Sequence, residues 1–141
     1  MQIPKLTPML VEVDQLSSYW SQCAPLLEKG LTDSEDEIGV EHLFEMLHAR
    51  IGMLLVGVDS DGLVHLAMAL QFQRFPHYTV AHIHSIGGKG VMDNRQHWDA
   101  IKNWMKSQGA SKVQGSCKPA QARLWQRLGL KPVYTIMRQD L

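Results

Sequence analysis

The chain has 141 residues, 45% of them hydrophobic and 20% charged, which fits one globular domain of roughly 100–150 residues and argues against a disordered polymer. Its formal net charge is zero, against the strong positive balance of general nucleic-acid binders. No apolar run approaches the ~18 residues of a membrane span, no signal-peptide layout opens the chain, and Cys23 and Cys117 are too far apart and too few for a disulfide framework. The expectation is a reduced, cytoplasmic protein with neither membrane nor nucleic-acid partners, a single domain over residues 1–141.

Met9 to Val13 reads as a short strand and Asp14 as the N-cap of the helix that follows. Leu16, Tyr19, Trp20, Cys23 and Leu27 recur at helical spacing, and Pro25 within that pattern predicts a kink or an early stop. The acidic stretch Thr32 to Glu37 reads as a loop. Val40, Leu43, Phe44 and Leu47 then form the buried stripe of a second helix, with Gly52 as its stop. Met53 to Val58 and Leu63 to Phe75 are apolar strands around the turn Asp59-Ser60-Asp61-Gly62, and Tyr78 to Ile86 is a third strand of the meander. A helix follows with Trp98, Ile101 and Met105 on one face and Gly109 at its end; Trp104 lies off that stripe and reads as interfacial. Ser111 to Cys117 is a strand, Pro119 to Leu128 a helix closed by Gly129, and Val133 to Arg138 a final strand. The order β-α-α-β-β-β-α-β-α-β predicts an α+β domain: one mixed, mostly antiparallel sheet flanked by helices.

The zero net charge hides a split. Residues 1–61 carry three basic and eleven acidic side chains, a net of −8, and residues 62–141 carry eleven basic and three acidic, a net of +8. Such a split suits separate anionic-ligand and cationic-ligand faces, or attraction between the halves or toward a second copy.

Gly87-Gly88-Lys89-Gly90 joins a strand to a helix. Bare backbone N–H groups at a helix N-terminus can hold a phosphate, with the dipole adding roughly 0.3–1 kcal/mol. The spacing matches neither a P-loop nor a dinucleotide fingerprint. In this element order, however, Gly87-Gly88-Lys89-Gly90-Val91-Met92 is similar to the Arg/Gln-x-x-Gly-x-Gly/Ala loop of the GNAT N-acyltransferases, with Gly87 and Met92 departing from it. Leu124-Trp125-Gln126-Arg127-Leu128-Gly129-Leu130 is similar to the same family's Leu-Tyr-x-x-x-Gly-Phe. The resemblance covers nearly the whole chain and looks most like small GNAT-like proteins of tailed phages.

That resemblance implies an acyl-CoA-dependent N-acyltransferase, with acetyl-CoA or another acyl-CoA as co-substrate and an amine as acceptor. It implies a pyrophosphate cradle at Gly87, Gly88, Lys89, Gly90 and Val91, and a thioester carbonyl accepting a hydrogen bond from the backbone at Ser85 or Ile86. Trp125 stands where the family's proton-donating tyrosine is usual, and indole has no useful acidity. The alternative is a non-catalytic GNAT-like module, such as a virion-associated or host-interaction protein, with a homodimer or virion assembly as its partner state.

His82 and His84 alternate along their strand and share one face. With His65 they match a His-x-His ligand spacing, but no Asp, Glu or Cys nearby in sequence completes a set, so no metal is expected. In the GNAT reading this strand ends beside the thioester, which makes His84 the general-base candidate. The competing reading of His84 is a packed or solvated histidine. Cys117 reads as a half-buried strand-end residue rather than an acyl relay, since nothing beside it supplies a base.

Overall fold

Leu66 to Leu70 are buried at every position, and a strand covered on both faces needs a packed layer on each side. The computed structural model, which describes residues 6–31, 37–89 and 95–141, supplies both layers. Five strands form one sheet in the order β1 (Thr7–Val11), β2 (Met53–Val58), β3 (Val64–Arg74), β4 (Thr79–Gly88) and β5 (Lys112–Gly115). The first four are antiparallel neighbours, and β5 joins β4 in parallel after a helical crossover. Helices α1 (Leu16–Gly30) and α2 (Val40–His48) cover one face, and α3 (Arg95–Ser107) and α4 (Pro119–Arg127) the other. The α+β class and mixed sheet are those the sequence predicts.

Side-chain alternation divides the core between the two faces. Val11, Leu54, Val56, Ala67 and Ala69 meet Leu16, Cys23, Leu27, Leu43 and Leu47 of α1 and α2. Leu55, Leu66, Met68, Leu70, Ala81 and Ile83 meet Trp98, Ile101 and Met105 of α3, with Trp125 and Leu128 packed at the margin. Trp98 is 1% exposed, and its indole N–H donates to the Leu128 carbonyl at 3.1 Å, tying α3 to the end of α4. Trp104 packs against this layer too, half-buried, with its ring 5.8 Å from Phe72.

Several local expectations change. Asp14 is not a helix cap: it lies in a 3-10 turn, Val13–Gln15, where the Glu12 N–H donates to the Gln15 side chain at 3.4 Å. Pro25 does not end α1, which continues to Gly30. A proline inside a helix costs about 3 kcal/mol, and the complete burial of Cys23 and Leu27 on either side keeps both turns in place. Helix α2 ends at His48, ahead of Gly52, and Arg50 just beyond it takes φ 61°. The Arg50 N–H then donates to Leu47 and the Ile51 N–H to Met46, the two bonds of a Schellman stop.

The strand expected over Val133 to Arg138 is absent, and residues 131–141 are exposed without regular structure. Apolar residues fall at 133, 134, 136 and 137, so neither side of an extended chain is uniformly apolar. Gly90 and Val91, and most of the acidic stretch Thr32 to Glu37, lie outside the described residues.

Candidate functional site

Strands β4 and β5 part company midway. Their parallel pairing runs from Val80 opposite Lys112 to Ile83 opposite Gly115, where β5 ends, while β4 continues to Gly88. The opening begins at His84, and there β4 also bulges. Its register against β3 passes from Leu70 opposite Ile83 to Ala69 opposite Ser85, leaving His84 without a cross-strand partner.

The ladder fixes which way the backbone of β4 points beyond the bulge. The Lys89 N–H donates to the His65 carbonyl at 2.8 Å. Antiparallel hydrogen-bonded pairs alternate, so Gly87 also turns its N–H toward β3, whereas Ile86 and Gly88 turn theirs toward the opening. Of the two backbone donors the sequence nominates, Ile86 is the one this geometry directs into the gap. Ser85 is buried, and its hydroxyl donates to the Leu27 carbonyl at 2.7 Å, which pins β4 to α1.

Gly87 and Gly88 are both required by close packing. A Cβ on Gly87 would strike the Leu26 carbonyl, and one on Gly88 the His65 carbonyl. Gly88 also takes φ 105°, where a side chain is strained. The described part of the glycine turn is thus wedged between α1 and β3, with Lys89 exposed just beyond it.

On the sheet face shared with α1 and α2, four polar side chains gather. Gln71 of β3 lies opposite His82 of β4, which in turn lies opposite Gln114 of β5. The Gln114 side-chain amide donates to His82 Nδ1 at 3.1 Å, and His84 Nε2 meets Gln71 Oε1 at 2.9 Å. The two imidazoles stand edge to face with centroids 4.8 Å apart. Burial pushes the His82 pKa below the usual imidazole value; His84 is lowered chiefly by burial and further by His82. Alternation along β4 finds the histidines from sequence. Gln71 and Gln114 escape notice because their role depends on strand register.

Trp125 reaches the opening from the other face. It is half-buried against the α3 layer, and a Cβ on Gly115, the last residue of β5, would collide with its ring. Trp125 and His84 therefore flank the strand ends from opposite sides of the sheet. Cys117 is half-buried between β5 and α4. His65 does not join the other two histidines: its Nε2 pairs with Asp59 at 2.7 Å, next to the β2–β3 turn. That contact first, and then the Leu63 N–H, hold the Asp59 carboxyl below its ordinary range. Among the described residues no group of three or more His, Cys, Asp or Glu is arranged to hold a metal, and no helix is long and apolar enough to cross a membrane.

No protein-family model and no curated protein sequence matches the chain. Solved structures do. An aminoglycoside acetyltransferase from an uncultured soil metagenomic sample, in complex with sisomicin, superposes with a TM-score of 0.69 at 10% identity, covering 97% of both chains. A ribosomal-protein-alanine N-acetyltransferase from Brucella melitensis gives 0.68 at 13% identity over 96% of this chain and 99% of its own. Glucosamine-6-phosphate N-acetyltransferase from Arabidopsis thaliana gives 0.62 at 14% identity over 96% and 97%. The five-stranded mixed sheet flanked by four helices thus matches the fold of GNAT acetyltransferases.

Proposed function

We propose that this chain is an acyl-CoA-dependent N-acyltransferase that moves an acetyl group from acetyl-CoA directly to an amine. The observation that carries the reading is the opening of β4 from β5 at the His84 bulge, with the Ile86 N–H turned into the gap. Acetyltransferase folds among the structural neighbours, two of them named as N-acetyltransferases, support an acetyl donor and a nitrogen acceptor.

In this reading the pyrophosphate lies against Gly87, Gly88, Lys89, Gly90 and Val91 ahead of α3, where the Gly88 N–H, turned away from β3, and the exposed Lys89 favour an anion. The thioester carbonyl accepts from the Ile86 N–H. The amine nitrogen attacks the carbonyl carbon, a C–N bond forms, and the C–S bond breaks with its electron pair leaving on sulfur. The proton lost by the amine passes to His84, whose half-burial keeps it neutral and able to accept. The Trp125 indole cannot protonate the thiolate, but a thiol with a pKa near the cysteine reference of about 8.5 takes its proton from water after departure.

Calorimetric titration with acetyl-CoA, followed by a thiol-release assay over a panel of amines, tests the reading. Binding is expected, weakening as salt rises because screening removes the attraction of the basic half for the phosphates. Trp125→Tyr is expected to keep or raise turnover, since the phenol restores a donor. No acetyl-CoA binding at millimolar concentration overturns the assignment. Binding without turnover in either protein favours a non-catalytic module, such as a virion-associated protein.

A further inference from the structure

We infer that Gln71 is a positioning residue that decides which nitrogen of His84 serves as base: its carbonyl holds the ring proton on Nε2 and leaves Nδ1 as the lone-pair nitrogen. The inference rests on the proposed transfer reaction for the word base, but the tautomer is a property of the resting protein.

A carboxamide oxygen only accepts, so the 2.9 Å contact from His84 Nε2 to Gln71 Oε1 is a donation by the imidazole. A neutral imidazole has one proton, so donation from Nε2 leaves Nδ1 as the lone-pair nitrogen. His82 is set differently. Its Nδ1 accepts from the Gln114 amide, so its own proton is on Nε2. Each ring therefore takes its tautomer from a different neighbouring strand, His84 from β3 and His82 from β5.

Register explains why the glutamines divide this way. Gln71, His82 and Gln114 form one row across three strands. Gln71 nevertheless passes over its direct partner and reaches His84 diagonally, a distance that long side chains span. The bulge is what makes His84 available, because it carries no partner of its own across from β3. The cluster has no formal charge while both rings are neutral, and among the described residues the titratable group acting on His84 is His82. Half-burial disfavours a charge on either ring, and with the centroids 4.8 Å apart a charge on one disfavours a second on the other, so the pair favours the neutral state that a base requires.

Long-range proton–nitrogen spectra of the 15N-labelled protein read the tautomer directly, without substrate. The expected wild-type pattern has the His84 proton on Nε2. Gln71→Ala should shift His84 toward a mixture of tautomers. Gln71→Glu should retain the Nε2–H form, because a carboxylate also accepts, and should raise the His84 pKa above that of the wild type.

In the thiol-release assay, Gln71→Ala should lower kcat on the order of tenfold with KM for acetyl-CoA unchanged, and Gln71→Glu should recover much of it. A wild-type His84 proton on Nδ1, which would mean that the Gln71 amide is the donor, overturns the inference. So does a tautomer indifferent to Gln71→Ala, or a turnover that responds to His84→Ala but not to Gln71. A protein that turns over no amine defeats the acyltransferase reading instead, while the spectra still decide the tautomer.

Discussion

His82 and His84 are kept neutral by where they sit, without an opposing charge, and this has a consequence for stability. Both folded pKa values lie below the usual 6.5. As pH falls through 6.5 the unfolded chain binds protons that the native state refuses, so stability decreases until the folded pKa values are passed. The contribution is fully present above 6.5 and is lost below it. Urea unfolding between pH 8 and pH 5 should show this loss, and the double variant His82→Asn with His84→Gln should flatten the profile over that window. An equally steep profile in the variant would assign the loss to other groups. The sequence makes the two rings legible as a same-face pair because alternation along a strand is local. Gln71 and Gln114 are legible only once three strands are in register, since nothing in the local sequence links positions 71, 82 and 114.

At the scale of elements, β4 carries most of what the site needs, and it carries it through packing. In sequence the glycine turn reads as a phosphate site, and replacing Gly88 and Gly90 reads as a test of binding that leaves the fold cooperative. Gly88 does not allow so clean a change, because a Cβ there would strike the His65 carbonyl and its φ is 105°. Gly87 is as tightly held. A methyl on Gly87 would strike backbone of α1, which cannot move aside like a flexible side chain. Gly87→Ala is therefore expected to destabilise the domain by about 1–3 kcal/mol or more, the usual cost of forcing atoms into a packed interior. Denaturant unfolding measures it, with Gly62→Ala, where the added Cβ meets nothing within 4 Å, as a control that carries only the strain of its φ of 80°. A Gly87→Ala domain as stable as the wild type would mean that α1 and β4 can separate at little cost.

The helices and strands themselves were largely readable, because their apolar periods are strong and Gly109 and Gly129 mark two helix ends. Pro25 does not stop α1 because buried neighbours outweigh the proline penalty, and Gly52 does not stop α2 because Arg50 takes the left-handed position first.

Across the whole molecule the charge split follows the layers. Helices α3 and α4 bear Arg95, Lys102, Lys106, Arg123 and Arg127 against Asp99, while α1 and α2 bear Glu28, Glu41 and Glu45 against Lys29. Opposite signs thus predominate on opposite faces of the sheet, a separation the sequence shows only as a difference between halves. One link between them is the contact of Arg138 with Glu37 at 3.6 Å, both side chains more than half exposed. Exposed pairs of this kind contribute about 0–1 kcal/mol.

That weak tether bears on residues 131–141. Val133, Tyr134, Ile136 and Met137 are 66–88% exposed, so the segment buries little apolar area on its own domain. Deleting residues 131–141 should then change stability by about 0.5 kcal/mol or less, as for other surface changes, and move Tm by about 2 °C or less. Scanning calorimetry of the full and shortened chains at two protein concentrations tests this. A large loss independent of concentration would show the segment paired within its own domain, along the edge of β5. A loss that grows on dilution of the full chain would show it paired with a second copy, as β-rich segments do when they meet an open sheet edge.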